Sequence, residues 1–504
     1  MAELQEQDQA GASHVALKQK AVRGGMAKLV GQAVNFVLRI LFVSIMARLL
    51  DPVDFGLVAM VTVITGFYSL FTEAGLSAAT IQRAKVTNEQ TSTLFWVNLL
   101  VGVLLALLCL VTAPVVSRFY DEPRLFPIMV VLATGFMITA AAVQHAALLD
   151  RSLRFGVIAA IDVLSQSVSF IVGIAMAFAG FRYWALVAST ISMQITSAVC
   201  VWMITGWIPG LPRRGAGTRS MLRFGGTVTL NNMVVYLAYN FEKLLLGRFW
   251  GADALGLYGR AYQLINIPTQ NLNLAVGGVA FAALSRLQHD PIRLGNYFLK
   301  GYRLANSLTL PTTVFCALFA DDIVLVLLGP KWMEATPIFR LLSPTILVFG
   351  MINPFSWLLL STGLQKRSLK IAFVIAPLVV TAYAIGLPFG PTGVALAYST
   401  AMMIWLIPHI LWCVHGTMIS PRDIFLATSK PLVSALLAGA VAFCVHKYVT
   451  EWNSTVLRLA LESCVMVIVY YATLLFVMGD KTLYTNLFLA FRGDTSSEAD
   501  RLGQ

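Results

Sequence analysis

The stretch "KLVGQAVNFVLRILFV", Lys28–Val43, begins as apolar helix and then sets an arginine, Arg39, near its middle. Lys28, Gln32, Asn35 and Arg39 fall at i, i+4, i+7 and i+11, one face of a helix. An arginine near the centre of a membrane helix costs ~3 kcal/mol on insertion scales. A helix carries that cost only where the side chain faces protein or water. Two questions follow: whether this chain lies in a membrane, and what a polar face there would hold.

The first has a compositional answer. Of 504 residues, 58% are hydrophobic and 12% are charged, with a mean hydropathy of +0.76. A soluble chain carries roughly a quarter charged residues. The charges here are also gathered into short clusters between apolar runs of about twenty residues, the length that crosses a bilayer core. The fold expected is an all-α polytopic membrane protein with about 14 transmembrane helices. They are placed near 26–47, 55–77, 92–115, 125–148, 156–179, 184–206, 224–247, 254–283, 304–328, 335–361, 368–389, 393–415, 431–448 and 456–478. The opening "MAELQEQDQAGASHVALKQK" has no apolar core and reads as a cytoplasmic tail, not a signal peptide.

Lysine and arginine set the orientation. With the N-terminus inside, the cytoplasmic segments and adjoining span ends hold twenty-two, including Arg83, Arg151, Arg213 and Arg286, against seven outside, such as Arg118 and Arg182. Both termini are then cytoplasmic. The net charge of +12 belongs to these loops and not to a nucleic-acid surface. The six cysteines fall in or beside apolar runs without a CxxC pair, and the six histidines are scattered. Neither pattern supports a disulfide framework or a metal site. The longest connections, around Gly206–Leu222 and Leu284–Arg303, are too short to be domains.

The chain repeats at an offset of 200 residues. Gly25 meets Gly225, Gln32 meets Asn232, Arg48 meets Arg248, and Gly56–Leu57 meets Gly256–Leu257. An offset of six helices preserves topology, so the expected form is two parallel-repeat lobes around a central cavity. The boundaries are a tail at 1–23, an N-lobe at 24–206, a cytoplasmic linker at 207–222 and a C-lobe at 223–415. Two extra helices at 416–478 and a cytoplasmic tail at 479–504 follow.

The repeat-related seventh span carries Thr229, Asn232, Tyr236, Tyr239 and Lys243 on one face, and the eighth adds Arg260 and Gln263. Arg39, Lys243 and Arg260 have no obvious acid apiece, and a cationic cavity favours an anionic ligand such as a phosphate. Arginine can grip phosphate oxygens with two parallel hydrogen bonds; the amides and tyrosines beside it suit sugar hydroxyls. Simpler readings stand beside these. Lys28 is near the inner boundary, where it would snorkel or pair with Glu73, and Lys243 and Arg260 lie near the outer face. Tyr236 and Tyr239 also suit helix packing. Asp162, Glu242 and Glu73 are candidates for ion coupling, and Arg458 and Glu462, spaced i, i+4, read as a local pair.

Several segments resemble a known family. "ARLLDPVDFGLVAMV" (Ala47–Val61), "FTEAGLSAATIQR" (Phe71–Arg83), "LDRSLRF" (Leu149–Phe155), "YWALVA" (Tyr183–Ala188), "EKLLLGRFWGADALGLYGRAYQL" (Glu242–Leu264) and "FAALSRLQHD" (Phe281–Asp290) look like the polysaccharide-transport family. These are lipopolysaccharide and exopolysaccharide flippases of the multidrug/oligosaccharidyl-lipid/polysaccharide exporter superfamily. The resemblance covers roughly residues 20–420. It implies a bacterial inner-membrane protein that moves undecaprenyl-diphosphate-linked oligosaccharide between leaflets by alternating access. It also implies membrane lipids, a polysaccharide polymerase and export machinery as partners, with no cofactor and no nucleic acid. No motif of the family assigns a diphosphate contact to a residue, so the site residues rest on the polar stripe. A multidrug antiporter of the same superfamily would favour acids in its cavity, and the first span has none. An enzyme acting on lipid-linked sugars would place its acids around a scissile bond. The longest outer loop, "VVSRFYDEPRL", instead has Asp121 and Glu122 side by side.

Topology gives the first test. Alkaline phosphatase fused after Glu122 is expected to be active, and the same reporter fused after Ala216 or Gln504 inactive. The opposite pattern would invert the orientation.

Overall fold

The computed structural model describes residues 30–72, 87–152, 154–212, 219–288, 290–449, 454–479, 481 and 484. Among these the regular elements are all helical. The first is α1 (Val30–Leu49), followed by α2 (Pro52–Thr72), α3 (Asn88–Tyr120), α4 (Leu125–Arg151), α5 (Phe155–Phe178), α6 (Tyr183–Thr205) and α7 (Arg219–Arg286). Then come α8 (Pro291–Leu318), α9 (Ala320–Leu327), α10 (Ala335–Leu342), α11 (Pro344–Ser361), α12 (Gln365–Gly386), α13 (Gly390–Val414), α14 (Pro421–Val449) and α15 (Thr455–Ala472).

Ten helical stretches of the described residues are long and apolar enough to cross a membrane, or eleven if α8 and α9, which meet at 87°, form one span. Two longer stretches are themselves divided. Gln365–Val414 holds α12 and α13, which turn at Leu387–Phe389 into Gly390 with φ 73°. The 68-residue α7 is two helices joined at Gly251, whose φ of 79° only glycine adopts without strain. Side chains are arranged for lipid. Val111 and Phe178 are 71% and 73% exposed, while the polar Asn98, Gln144 and Asn306 are buried. That inversion of the soluble pattern is what a hydrocarbon solvent demands. The chain is a multi-pass helical membrane protein.

Local sequence sets the helix ends. Thr87 and Gln90 form a capping box at the start of α3. Asp290 caps α8 by accepting from the Arg293 amide at 3.1 Å, with Pro291 at the first helical position. That cap corrects the loop expected around Leu284–Arg303: most of it is helix, because α7 runs to Arg286 and α8 starts at Pro291. The continuous span expected at 304–328 breaks at Phe319 instead.

Two compact units divide the chain, residues 1–259 and 260–504. In the first, small residues bring helices to backbone distance, as membrane helix packing favours. A Cβ on Gly102 of α3 would meet the Ala140 methyl of α4 at 2.5 Å, and one on Gly31 of α1 would meet Ala159 of α5 at 2.8 Å. The closest approach joins α2 to α7. A Cβ on Gly56 would lie 1.7 Å from the Ala252 carbonyl oxygen, and one on Gly256 would lie 2.0 Å from that of Pro52. Positions 52 and 56 thus face 252 and 256 reciprocally, at the 200-residue offset of the sequence repeat. Such an exchange of contacts is what a twofold axis generates. In the second unit, the α12–α13 hairpin closes with a Gly386 Cβ position 2.4 Å from the Gly393 carbonyl oxygen.

Backbone cannot move aside as a flexible side chain can. Gly56→Ala and Gly256→Ala are each expected to destabilise the protein by about 1–3 kcal/mol. Gly259→Ala, with open space around it, is expected to be neutral. Thermal unfolding in detergent measures all three, and tolerance of Gly56→Ala would mean the crossing is loose.

Candidate functional site

The polar face of α1 is described from Gln32 onward; Lys28 lies outside the described residues. Gln32 and Arg39 are exposed and Asn35 is half-buried. Among the described residues, no hydrogen bond or ion pair engages Arg39, and the Asn35 side-chain oxygen is buried without a hydrogen-bond partner. The flank of the helix next to that stripe is held by packing: Gly31, one turn before Asn35, sits on Ala159, and Phe42, one turn after Arg39, rests against Phe170 with ring centroids 5.6 Å apart. α1 therefore packs on α5 beside its polar stripe and leaves Arg39 exposed.

On α7 the polar residues form a ladder. The Lys243 ammonium donates to the Asn240 side-chain oxygen at 2.7 Å, and the Asn240 amide donates to the Tyr236 carbonyl at 2.9 Å. The Tyr236 hydroxyl crosses to α2 and donates to the Val63 carbonyl at 3.1 Å, beside Thr62 at 3.4 Å. Gly66 makes room for it, since a Cβ there would lie 2.2 Å from that hydroxyl. Below the ladder is a cavity of about 180 Å³ lined by Val63, Ile64, Phe67, Tyr68, Tyr236, Leu237, Asn240 and Leu244. Tyr239 is half-buried one turn on. Asn232 lies in the same helix.

Beside the ladder, Glu242 is fully buried, and neither carboxylate oxygen has a hydrogen-bond partner among the described residues. Asp162 is exposed on α5; Glu73 is outside the described residues. In the second unit, Arg260 donates to Gln263, one turn along α7. The first unit thus brings Tyr236 and Lys243 together through Asn240. No hydrogen bond or ion pair joins that ladder to Arg39 among the described residues.

Sequence reading passed over Asn240, although it stands four residues after Tyr236 and three before Lys243, on the face already marked. The acids in the turn between α3 and α4 are structural in character. Asp121 ends α3 at φ 55° and Glu122 is forked by Arg124 at 2.7 Å. The hydrogen bonds from that guanidinium hold the Glu122 carboxyl below the usual carboxylate range.

Comparison with known proteins follows the same lines. The family described as "Polysaccharide biosynthesis protein" matches residues 45–337. The teichuronic acid biosynthesis protein TuaB of Bacillus subtilis is 30% identical over 304 residues, which is 59% of this chain and 62% of TuaB. The lipopolysaccharide biosynthesis protein WzxC of Escherichia coli is 24% identical across 77% of this chain and 80% of its own length. The chain therefore spans just under two thirds of TuaB and four fifths of WzxC. Among solved structures, the lipid II flippase MurJ superimposes with a TM-score of 0.72 at 14% identity, covering 93% of this chain and all of MurJ. At that identity the likeness is one of fold.

Removing the Tyr236 hydroxyl tests the ladder. Tyr236→Phe is expected to lower stability by about 1 kcal/mol, the net worth of one hydrogen bond. An unchanged melting temperature would mean that the hydroxyl does not hold α7 to α2.

Proposed function

Because the chain belongs to the family of polysaccharide biosynthesis proteins, we propose that it is a flippase for undecaprenyl-diphosphate-linked oligosaccharide. It moves the repeat unit from the cytoplasmic to the outer leaflet of the bacterial inner membrane, for exopolysaccharide, capsule or lipopolysaccharide synthesis. Both termini are cytoplasmic. The observation that carries the reading is Arg39: an arginine inside an apolar spanning helix, exposed and without a hydrogen bond or ion pair among the described residues. A cation so placed is stable facing water, and it attracts a diphosphate by Coulomb's law. The lipid tail never leaves the bilayer, so only the headgroup needs a polar path.

In this reading Lys28, Gln32, Asn35 and Arg39 receive the diphosphate, with Asn232, Tyr239, Lys243, Arg260 and Gln263 meeting the sugar and its phosphates. Tyr236 fixes the position of the α7 face through α2. The lobes are residues 24–206 and 223–415, with 416–478 as two added helices, giving fourteen spans. The breaks at Gly251 and Gly390 support that count, and the reciprocal contacts of Gly56 and Gly256 support the repeat. The transport cycle includes no catalytic step. Ion coupling falls to Glu73, Asp162 and Glu242; the burial of Glu242 without a hydrogen-bond partner among the described residues supports it most.

The test uses a host that lacks its own exopolysaccharide flippase, complemented with matched amounts of wild type or variants. Wild type is expected to restore surface polymer, Arg39→Ala to leave lipid-linked repeat units in the inner leaflet, and Arg39→Lys to restore export in part. Normal export by Arg39→Ala would remove Arg39 from the path.

A further inference from the structure

A second polar cluster lies in the second unit and includes none of the residues named above as binding. Asp322 comes from the first turn of α9, His446 from the last turn of α14, and Arg458 and Glu462 from α15. The sequence suggests that Arg458 pairs with Glu462, four residues on. The structure gives each a partner from another helix. Arg458 forks Asp322, with Nε donating to Oδ2 at 2.9 Å and Nη2 bonding Oδ1. Glu462 Oε1 lies 2.6 Å from His446 Nδ1, which in turn is 3.8 Å from Asp322 Oδ2. The result is one continuous chain, Glu462–His446–Asp322–Arg458.

Burial gives that chain its chemistry. Asp322 is 3% exposed and Glu462 0%, and the second oxygen of Glu462 is buried with no hydrogen-bond partner. The imidazole sits against Phe443, stacked at 16°, and Phe319, while its own side chain stays 25% exposed. Asp322 has the Arg458 guanidinium as its countercharge. Among the described residues, the direct ion-pair contact of Glu462 is with the imidazole. The nearby charges are otherwise engaged: the Lys447 ammonium lies over the Phe443 ring at 5.3 Å, and Asp321 is bound by Arg340. The groups acting on the Glu462 carboxylate are Asp322, His446 and Arg458. A buried carboxylate without a countercharge is costly. One proton on the imidazole turns the His446–Glu462 contact into a charge-assisted hydrogen bond and brings the four groups to neutrality.

We infer that Asp322, His446, Glu462 and Arg458 form a site for a single proton, which fastens the α14–α15 pair to the 87° bend between α8 and α9. The proton arrives from water at the exposed edge of the imidazole and leaves the same way. With it bound, Nδ1–H donates to Glu462 Oε1; without it, Glu462 is left as an uncompensated buried charge and the attachment weakens. The three donor atoms are also close enough together to hold a divalent cation. A metal would have to compete with the Arg458 fork for Asp322, so the proton is the ligand the geometry favours. If the flippase reading above holds, this site ties the movement of the last two helices to pH; the proton site itself does not depend on that reading.

The experiment is pH-jump infrared difference spectroscopy on the purified full chain in lipid nanodiscs. Wild type is expected to show an imidazolium band and a shifted carboxylate band that appear together. Both are expected to vanish in His446→Gln, and the carboxylate band alone in the isosteric Glu462→Gln. A ¹³C-histidine label marks all six imidazoles, so the His446 band is the one lost in labelled His446→Gln and kept in labelled His415→Gln; should His446→Gln not fold, Glu462→Gln carries the test through the carboxylate band. Persistence of both bands in folded His446→Gln or Glu462→Gln would overturn the proposal. So would bands that require added Zn²⁺ and disappear with chelator. A parallel transport assay separates the two readings. Wild type that flips nothing would count against the flippase and leave the infrared result standing. A pH dependence of flipping flattened in Glu462→Gln, with transport retained at one pH, is the expected outcome when both hold.

Discussion

The backbone-to-backbone crossing of α2 and α7 governs the architecture of the first unit. Gly56 against Ala252, and Gly256 against Pro52, leave no room for a single methyl group. That contact fixes the register of an antiparallel pair. Further along it, Gly247 faces Met60, and Tyr236 reaches the carbonyl of Val63 over the gap at Gly66. The cavity below Tyr236 and Asn240 exists because these two helices are held at that distance and no closer. Packing of small residues does here what the hydrophobic effect does in water, since lipid offers no apolar driving force between helices.

Polar groups are expensive in this setting, so their placement is informative. Most are satisfied locally, as with the hydroxyls of Thr62, Thr112 and Thr309, which donate to carbonyls one turn back. Others are joined across helices, as Ser169 is to Ser189 and Asn306 to Thr428. Several side chains fit neither pattern, among them the buried Asn98 and Ser165 and two charged groups: Arg39 is exposed and Glu242 is sealed in, and none of the four has a side-chain hydrogen-bond partner among the described residues.

Much of this was legible in the chain. Spanning helices announce themselves through composition, because hydrocarbon excludes charge whatever the tertiary structure. The 200-residue offset exposed Gly56 and Gly256 as equivalents, but only coordinates show that each touches the other's helix. The face joining Tyr236 to Lys243 was readable from helical spacing, and Asn240 between them was missed although it obeys the same spacing. What failed were inferences from local rules where distant partners decide. Arg458 and Glu462 satisfy the i, i+4 rule, yet the buried Asp322 and the partly exposed His446, more than a hundred residues and sixteen residues away respectively, claim them. The bend at Phe319 carries neither proline nor glycine at the break, so the sequence there gives no sign of it.

Flipping is the central claim, and reconstitution tests it most directly. Purified protein in vesicles would be supplied with undecaprenyl-diphosphate-linked oligosaccharide, and the fraction of headgroups reachable by a membrane-impermeant reagent followed with time. The account predicts that headgroups exchange between leaflets faster than in vesicles bearing an unrelated multi-pass protein, and that the same lipid without its diphosphate does not. Exchange at the protein-free rate, from a protein shown to be folded, would contradict it.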